Sequence, residues 1–248
     1  MDTVSWSLLL GFAAASANVL GGLMVVSRRE PWDPRILHGF VALGAGFMLA
    51  AALLRMEPEA ARLTEAAPLL ILAGYLVVHL FEHTIAPHFH FGEETHHEHM
   101  VDPAVSASAL VGLGLHSFFD GVAIASGFLV TPSLGILVAF AVILHKVPEG
   151  VTIASLMMAS GRSQRSARQG AGLLAVATLA GAGVMAFLGE GVKGAGLALS
   201  SGIALYVAAT DLIPEFNQEG QTVYSLSALG GLVLYFVIHA VSTHFGIH

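Results

Sequence analysis

Two segments of this chain each place an imidazole and a carboxylate four residues apart, and the segments repeat each other at a spacing of 29 residues. Leu115-His116-Ser117-Phe118-Phe119-Asp120-Gly121-Val122-Ala123-Ile124-Ala125-Ser126 aligns with Leu144-His145-Lys146-Val147-Pro148-Glu149-Gly150-Val151-Thr152-Ile153-Ala154-Ser155, identical at seven of twelve positions. A four-residue step stacks the two groups on one face of a helix. Two imidazoles and two carboxylates form a nitrogen and oxygen donor set that suits a divalent first-row ion such as zinc. The two negative charges offset a dication in surroundings where an unpaired one would be prohibitive. A single pair of this kind is as readily an interhelical hydrogen bond; two copies in register argue for metal. There is no cysteine, so thiolate ligands and disulfides are excluded, leaving methionine sulfur as the one soft donor.

Around these groups the sequence is strongly apolar. Hydrophobic residues make up 55% and charged residues 11%, with a mean hydropathy of +0.77, a balance that belongs in a bilayer. The ten Lys and Arg form no basic stripe, so nucleic acid is not an expected partner. A spanning helix needs about 20 apolar residues, and eight windows supply them: Val4–Val26, Ile36–Leu54, Ala67–Ile85, Pro103–Val130, Ser133–Ala159, Ala171–Gly189, Gly194–Ile213 and Val223–Thr243. The expected fold is thus an all-α integral membrane protein, one transmembrane domain over residues 1–248. The first window has no basic start and a long apolar run, and reads as a span rather than a cleaved leader.

The repeat lies in the fourth and fifth windows, which are joined only around Thr131-Pro132-Ser133 and should form an antiparallel hairpin. Pro148 removes a backbone hydrogen bond beside Glu149, while Gly121 and Gly150 open space for another backbone or an ion. Lys146 stands where the other copy has Ser117. Its ammonium is expected to fill the space of a second ion, leaving one metal per site; the alternative is a lysine facing a water-filled cavity and tuning charge. Lone His38 and His239 read as interhelical hydrogen bonds rather than ligands.

Connections between windows set the expected topology. Arg28, Arg29, Arg35, Arg162, Arg165 and Arg168 lie on odd-numbered connections, against Arg55, Arg62 and Lys193 on even ones. Positive charge then puts the odd connections in the cytoplasm and both termini outside, in a multi-pass protein of the cell membrane. The third connection, residues 86–102, carries His88, His90, His96, His97 and His99 with Glu93, Glu94 and Glu98. It reads either as a solvated loop or as loose capture of metal on the cytoplasmic side.

The motifs His116-Ser117-x-x-Asp120-Gly121 and His145-Lys146-x-Pro148-Glu149-Gly150 resemble those of the ZIP (Zrt-, Irt-like) family of divalent metal transporters. The resemblance implies eight helices in an inverted-repeat bundle and uptake of zinc or a related divalent ion into the cytoplasm, by an elevator-like alternating-access motion. The ion is then substrate, with no prosthetic group, and a homodimer is left open. Met48, in Phe47-Met48-Leu49-Ala50, corresponds to a peripheral soft ligand position. Thr210-Asp211 stands where the family usually has His-Glu, making Asp211 an entry or relay carboxylate, with a helix-capping role as the alternative. Ser117 and Lys146 replace the residues that build a second metal site in some members, which argues against a binuclear centre. Because protonated ligands release metal, uptake should fall at low outside pH.

Two rival readings come from other classes. His79-Leu80-Phe81-Glu82-His83, with His88 and His90 beyond, is similar to the histidine clusters of membrane-embedded hydrolases or desaturases. No nucleophile or substrate-orienting group accompanies it, so an enzyme is not the expected function. A metal-gated sensor would instead place its whole response in the histidine-rich loop.

Overall fold

A computed structural model describes residues 2–27, 34–85, 103–214 and 222–244. Among them every regular element is helical. The order is α1 (Thr3–Ser27), α2 (Pro34–Ala51), α3 (Glu57–Leu63), α4 (Ala67–Leu80), α5 (Pro103–Val130), α6 (Pro132–Ala159), α7 (Gln164–Leu188), α8 (Lys193–Tyr206) and α9 (Thr222–His244). Three π-helical turns extend this set: Ala52–Met56 joins α2 to α3, Phe81–Ile85 follows α4, and Val207–Leu212 follows α8.

The helix starts follow local chemistry. Thr131 caps α6, its hydroxyl accepting from the Leu134 amide at 3.2 Å, with Pro132 at the first helical position where no amide is needed. Ser163 caps α7 through the Ser166 amide, also at 3.2 Å. That cap starts α7 at Gln164, seven residues before the apolar window over Ala171–Gly189, because the polar first turns escape a hydropathy reading.

Seven helical stretches are long and apolar enough to cross a membrane. The sixth sequence window and all but the last residue of the seventh fall within one of them, the 49 residues Gln164–Leu212. A short 3₁₀ turn at Gly189–Val192, entered with Gly189 at φ 71°, replaces the loop that separates the other windows. The two arms part company there: α7 packs on α1, α5 and α6, whereas α8 packs on α3, α4 and α5.

The packing divides the helices into two sets. α1, α5, α6 and α7 all touch one another. Outside this quartet, α2 pairs with α9 and α4 with α8. The sets meet chiefly where α2 crosses α6 and α8 crosses α5. Within the quartet, glycine lets backbones touch. A Cβ on Gly150 would sit 2.0 Å from the Asn18 carbonyl oxygen, and one on Gly21 2.2 Å from that of Val147, so α1 and α6 lie backbone to backbone. α5 and α7 make the same reciprocal contact through Gly121 and Gly181, at 1.9 Å and 1.8 Å from carbonyl oxygens. The space beside each motif carboxylate is therefore filled by a neighbouring backbone.

Candidate metal centre

α5 and α6 run side by side from Thr131, and the four-residue spacing turns His116, Asp120, His145 and Glu149 toward each other. All four are buried, and one donor atom from each lies within 4.8 Å of the others. The two Nε2 atoms are 3.3 Å apart. Asp120 Oδ2 lies 3.2 Å from His116 Nε2 and 3.3 Å from His145 Nε2, and Glu149 Oε2 lies 3.9 Å from His116 Nε2. Donors held about 2.0–2.2 Å from a tetrahedral zinc stand roughly 3.4 Å from one another. Three of these separations come close to those edges and the fourth, at 3.9 Å, is longer. Among the described residues this is the only group of three or more such ligands close enough to share an ion.

The surroundings prepare these groups for that work. His145 Nδ1 donates to the Ala141 carbonyl at 2.9 Å, which orients the ring with Nε2 toward the cluster. His116 Nδ1 is buried with no hydrogen-bond partner. Glu149 is held at both oxygens: Oε1 accepts from Ser117 Oγ at 2.5 Å and from Asn18 Nδ2 at 3.0 Å, and Oε2 from Lys146 Nζ at 2.5 Å. Lys146 also reaches Asp120 Oδ2 and Ser117 Oγ, each at 2.8 Å. Its three ammonium hydrogens are thus matched by three acceptors. The side chain is 0% exposed, which removes the reading of a lysine facing water.

Two cavities approach the cluster from the α4 and α8 side. A narrow one, about 30 Å³, is lined by His116, His145, Glu149, Asp211 and Glu82 among apolar neighbours. A wider one, about 260 Å³, is lined by His79, His83, Tyr206, Thr210 and Asp211. Asp211 borders both. It is buried within the π-helical turn Val207–Leu212. The turn Phe81–Ile85 presents Glu82 in the same way, its carboxylate accepting from Tyr206 Oη at 2.7 Å.

Other sequence-predicted residues lie elsewhere. Met48 is buried in the apolar core and does not line the narrow cavity. His38 packs edge-on against Tyr224, and His239 stacks on Tyr235. His79 and His83 pack ring against ring at 4.1 Å, with His83 Nδ1 donating to the His79 carbonyl, a contact that does not point the pair at a shared ion. His88, His90, His96, His97 and His99 lie outside the described residues. Asn18 and Glu82 were not predicted. For Asn18 the available signal was an amide in the middle of an alanine-rich span, where a polar group needs a partner.

The geometry agrees with comparisons to known proteins. A family model for the ZIP zinc transporter matches residues 93–242, more than half of the chain and all of both motifs. The chain belongs to this family. Among curated relatives, zinc transporter SLC39A7 of Pongo abelii is 36% identical over 138 residues, covering 50% of this chain and 29% of that protein. SLC39A7 of Homo sapiens is 35% identical over 138 residues with the same coverage. The zinc transporter ZIP13 homolog of Drosophila melanogaster is 33% identical over 141 residues, 54% of this chain and 39% of that protein. The match spans less than half the length of each of these relatives. The family is one of transporters rather than enzymes, which sets aside the hydrolase or desaturase reading.

Proposed function

We propose that this chain carries a divalent metal ion, zinc foremost, across a membrane into the cytoplasm, holding it between His116, Asp120, His145 and Glu149. The observation that carries this reading is the buried four-donor cluster inside membrane-capable helices. An ionisable group there is costly and marks a pathway. Mixed imidazole and carboxylate ligands bind a dication without the tenacity of thiolates, which suits an ion that must leave again. Met48 serves as a peripheral soft donor before the cluster.

Asp211 and Glu82 line the route between the cluster and the wider cavity, and Asp211 relays the ion along it. The histidines of residues 86–102 then capture it loosely on the cytoplasmic side. The stretch Gln164–Leu212 would be about 74 Å long as one helix, more than twice the hydrocarbon thickness. Bent at Gly189, it makes two crossings, which gives eight in all and both termini on one side, the outside by the arginine bias of the odd connections. The mutual packing of α1, α5, α6 and α7 supports their moving as one body against α2, α4, α8 and α9, the elevator-like mode.

The test is zinc influx into vesicles that contain the purified protein and a fluorescent metal indicator. Saturable influx is expected, lowered about 100-fold or more by His145→Ala, and falling as the outside is acidified because protonated imidazole and carboxyl groups cannot ligate. Influx indifferent to His145, or none from folded protein, would defeat the reading.

A further inference from the structure

Lys146 is fully buried in a membrane-capable helix and pairs with both motif carboxylates through the same oxygens that complete the four-donor set, Asp120 Oδ2 and Glu149 Oε2. A cargo ion and the ammonium therefore compete for two oxygens. We infer that Lys146 is a tethered cation that takes the cargo's place between Asp120 and Glu149, so that the unloaded carrier crosses its barrier with half of its negative charge offset. The inference rests on the transport reading above and concerns the half of the cycle in which no metal travels.

Charge decides the argument. With neutral imidazoles, two carboxylates and one ammonium leave the site at −1 when unloaded and +1 when it holds a dication. Without the ammonium the same site would be −2 unloaded and 0 loaded. The cost of moving a charge through a poorly polarisable region grows with its square, so −2 is about four times as costly as −1. Removing Lys146 thus eases loading and loaded passage, and penalises the empty return. The geometry suits the exchange. Nζ has three acceptors, and one of them, Ser117 Oγ, belongs to no proposed ligand. The ammonium can keep that contact while it yields the two carboxylate oxygens. Ser117 in turn holds Glu149 through Oε1, the oxygen that does not face Nζ.

Two flux modes in vesicles separate the halves of the cycle. Exchange of labelled outside Zn²⁺ for unlabelled inside Zn²⁺ needs only the loaded passage, whereas net influx into metal-free vesicles needs the empty return as well. Lys146→Gln is expected to lower the ratio of net influx to exchange about tenfold or more and to tighten Zn²⁺ binding in equilibrium dialysis. The double variant Lys146→Gln with Asp120→Asn restores the formal charges of −1 and +1, and should bring the ratio back toward the wild-type value. Asp120→Asn alone makes the site neutral when empty and +2 when loaded, so it should raise the ratio.

A Lys146→Gln protein whose two fluxes fall together, or whose ratio the second substitution does not restore, would overturn the inference. So would a lowered ratio in Asp120→Asn alone, a measurement that stands even if Lys146→Gln does not fold. Wild-type protein with neither flux would overturn the transport reading itself, a different result from a wild type that exchanges zinc while the variants keep its ratio.

Discussion

Glu149 is restrained at both carboxylate oxygens, with donors from Asn18, Ser117 and Lys146. Of these, Ser117 comes from α5 and Asn18 from α1, and Asn18 sets where the carboxylate sits relative to α1. Its Oδ1 is buried without a partner, an expense the fold accepts to aim Nδ2 at Glu149. Replacing Asn18 by Ala should leave the chain folded and weaken zinc binding about tenfold, the usual effect of losing a group that orients a ligand. Equilibrium dialysis against Zn²⁺ checks this, and unchanged affinity would mean that Ser117 and Lys146 suffice. At this scale the repeated motif made most of the cluster legible in the sequence, since the four-residue spacing and the shared register already put four donors on facing surfaces. Asn18 and Glu82 were not legible in that way. Their roles depend on which helices become neighbours, and neither belongs to a repeated pattern.

Among the elements, the α1–α6 and α5–α7 pairs fix the height of the metal-binding helices by backbone contact. The glycines beside the motif carboxylates show how narrow the tolerance is. A methyl group at Gly150 has no room against the Asn18 carbonyl, while one at Gly183 meets nothing within 4 Å. Gly150→Ala should therefore destabilise the protein by about 2 kcal/mol or more, or force α1 and α6 apart. Gly183→Ala should be neutral or slightly stabilising, because it only lowers the entropy of the unfolded chain. Thermal unfolding in detergent compares the two. The sequence made the helices themselves plain: all eight apolar windows fall on helix, and the hairpin joint at Thr131-Pro132 carries its own capping signal. The π-helical turns that present Glu82 and Asp211 had no such signal, since a one-residue insertion in the hydrogen-bond pattern leaves hydropathy unchanged. The merging of the sixth and seventh windows across Gly189–Val192 was hidden for the same kind of reason. Hydropathy measures how apolar a segment is and does not register whether the break between two segments is a loop or a tight turn.

Among the described residues, the tightest backbone contacts lie within the two helix sets, and the glycine contacts between the sets are looser or meet side chains. α2 and α9 touch through Gly46 and Gly231, and α4 and α8 through Gly74 and Gly202, each at about 2 Å from a facing carbonyl for an added Cβ. Where α8 crosses α5, by contrast, an added Cβ at Gly196 would meet the Ser126 hydroxyl at 2.6 Å. Side-chain seams of that kind can slide where interlocked backbones cannot. The chain has no cysteine, so introduced pairs report without background. A disulfide between Ser126→Cys and Gly196→Cys bridges the two sets and should stop zinc flux until it is reduced. One between Gly11→Cys and Ala182→Cys, whose Cβ atoms would be 3.3 Å apart within the quartet, should leave flux in place. Equal loss in both would mean that the sets do not move relative to each other.

The buried quartet is the centre of this account, and the histidines of residues 86–102 are its natural competitor for bound zinc. Extended X-ray absorption at the zinc edge of protein loaded with one equivalent of Zn²⁺ distinguishes them. The quartet predicts two imidazole nitrogens and two carboxylate oxygens at about 2.0–2.2 Å, with one imidazole missing in His145→Ala. A shell of three or more imidazoles that His145→Ala leaves intact would place the ion in the loop and contradict the account.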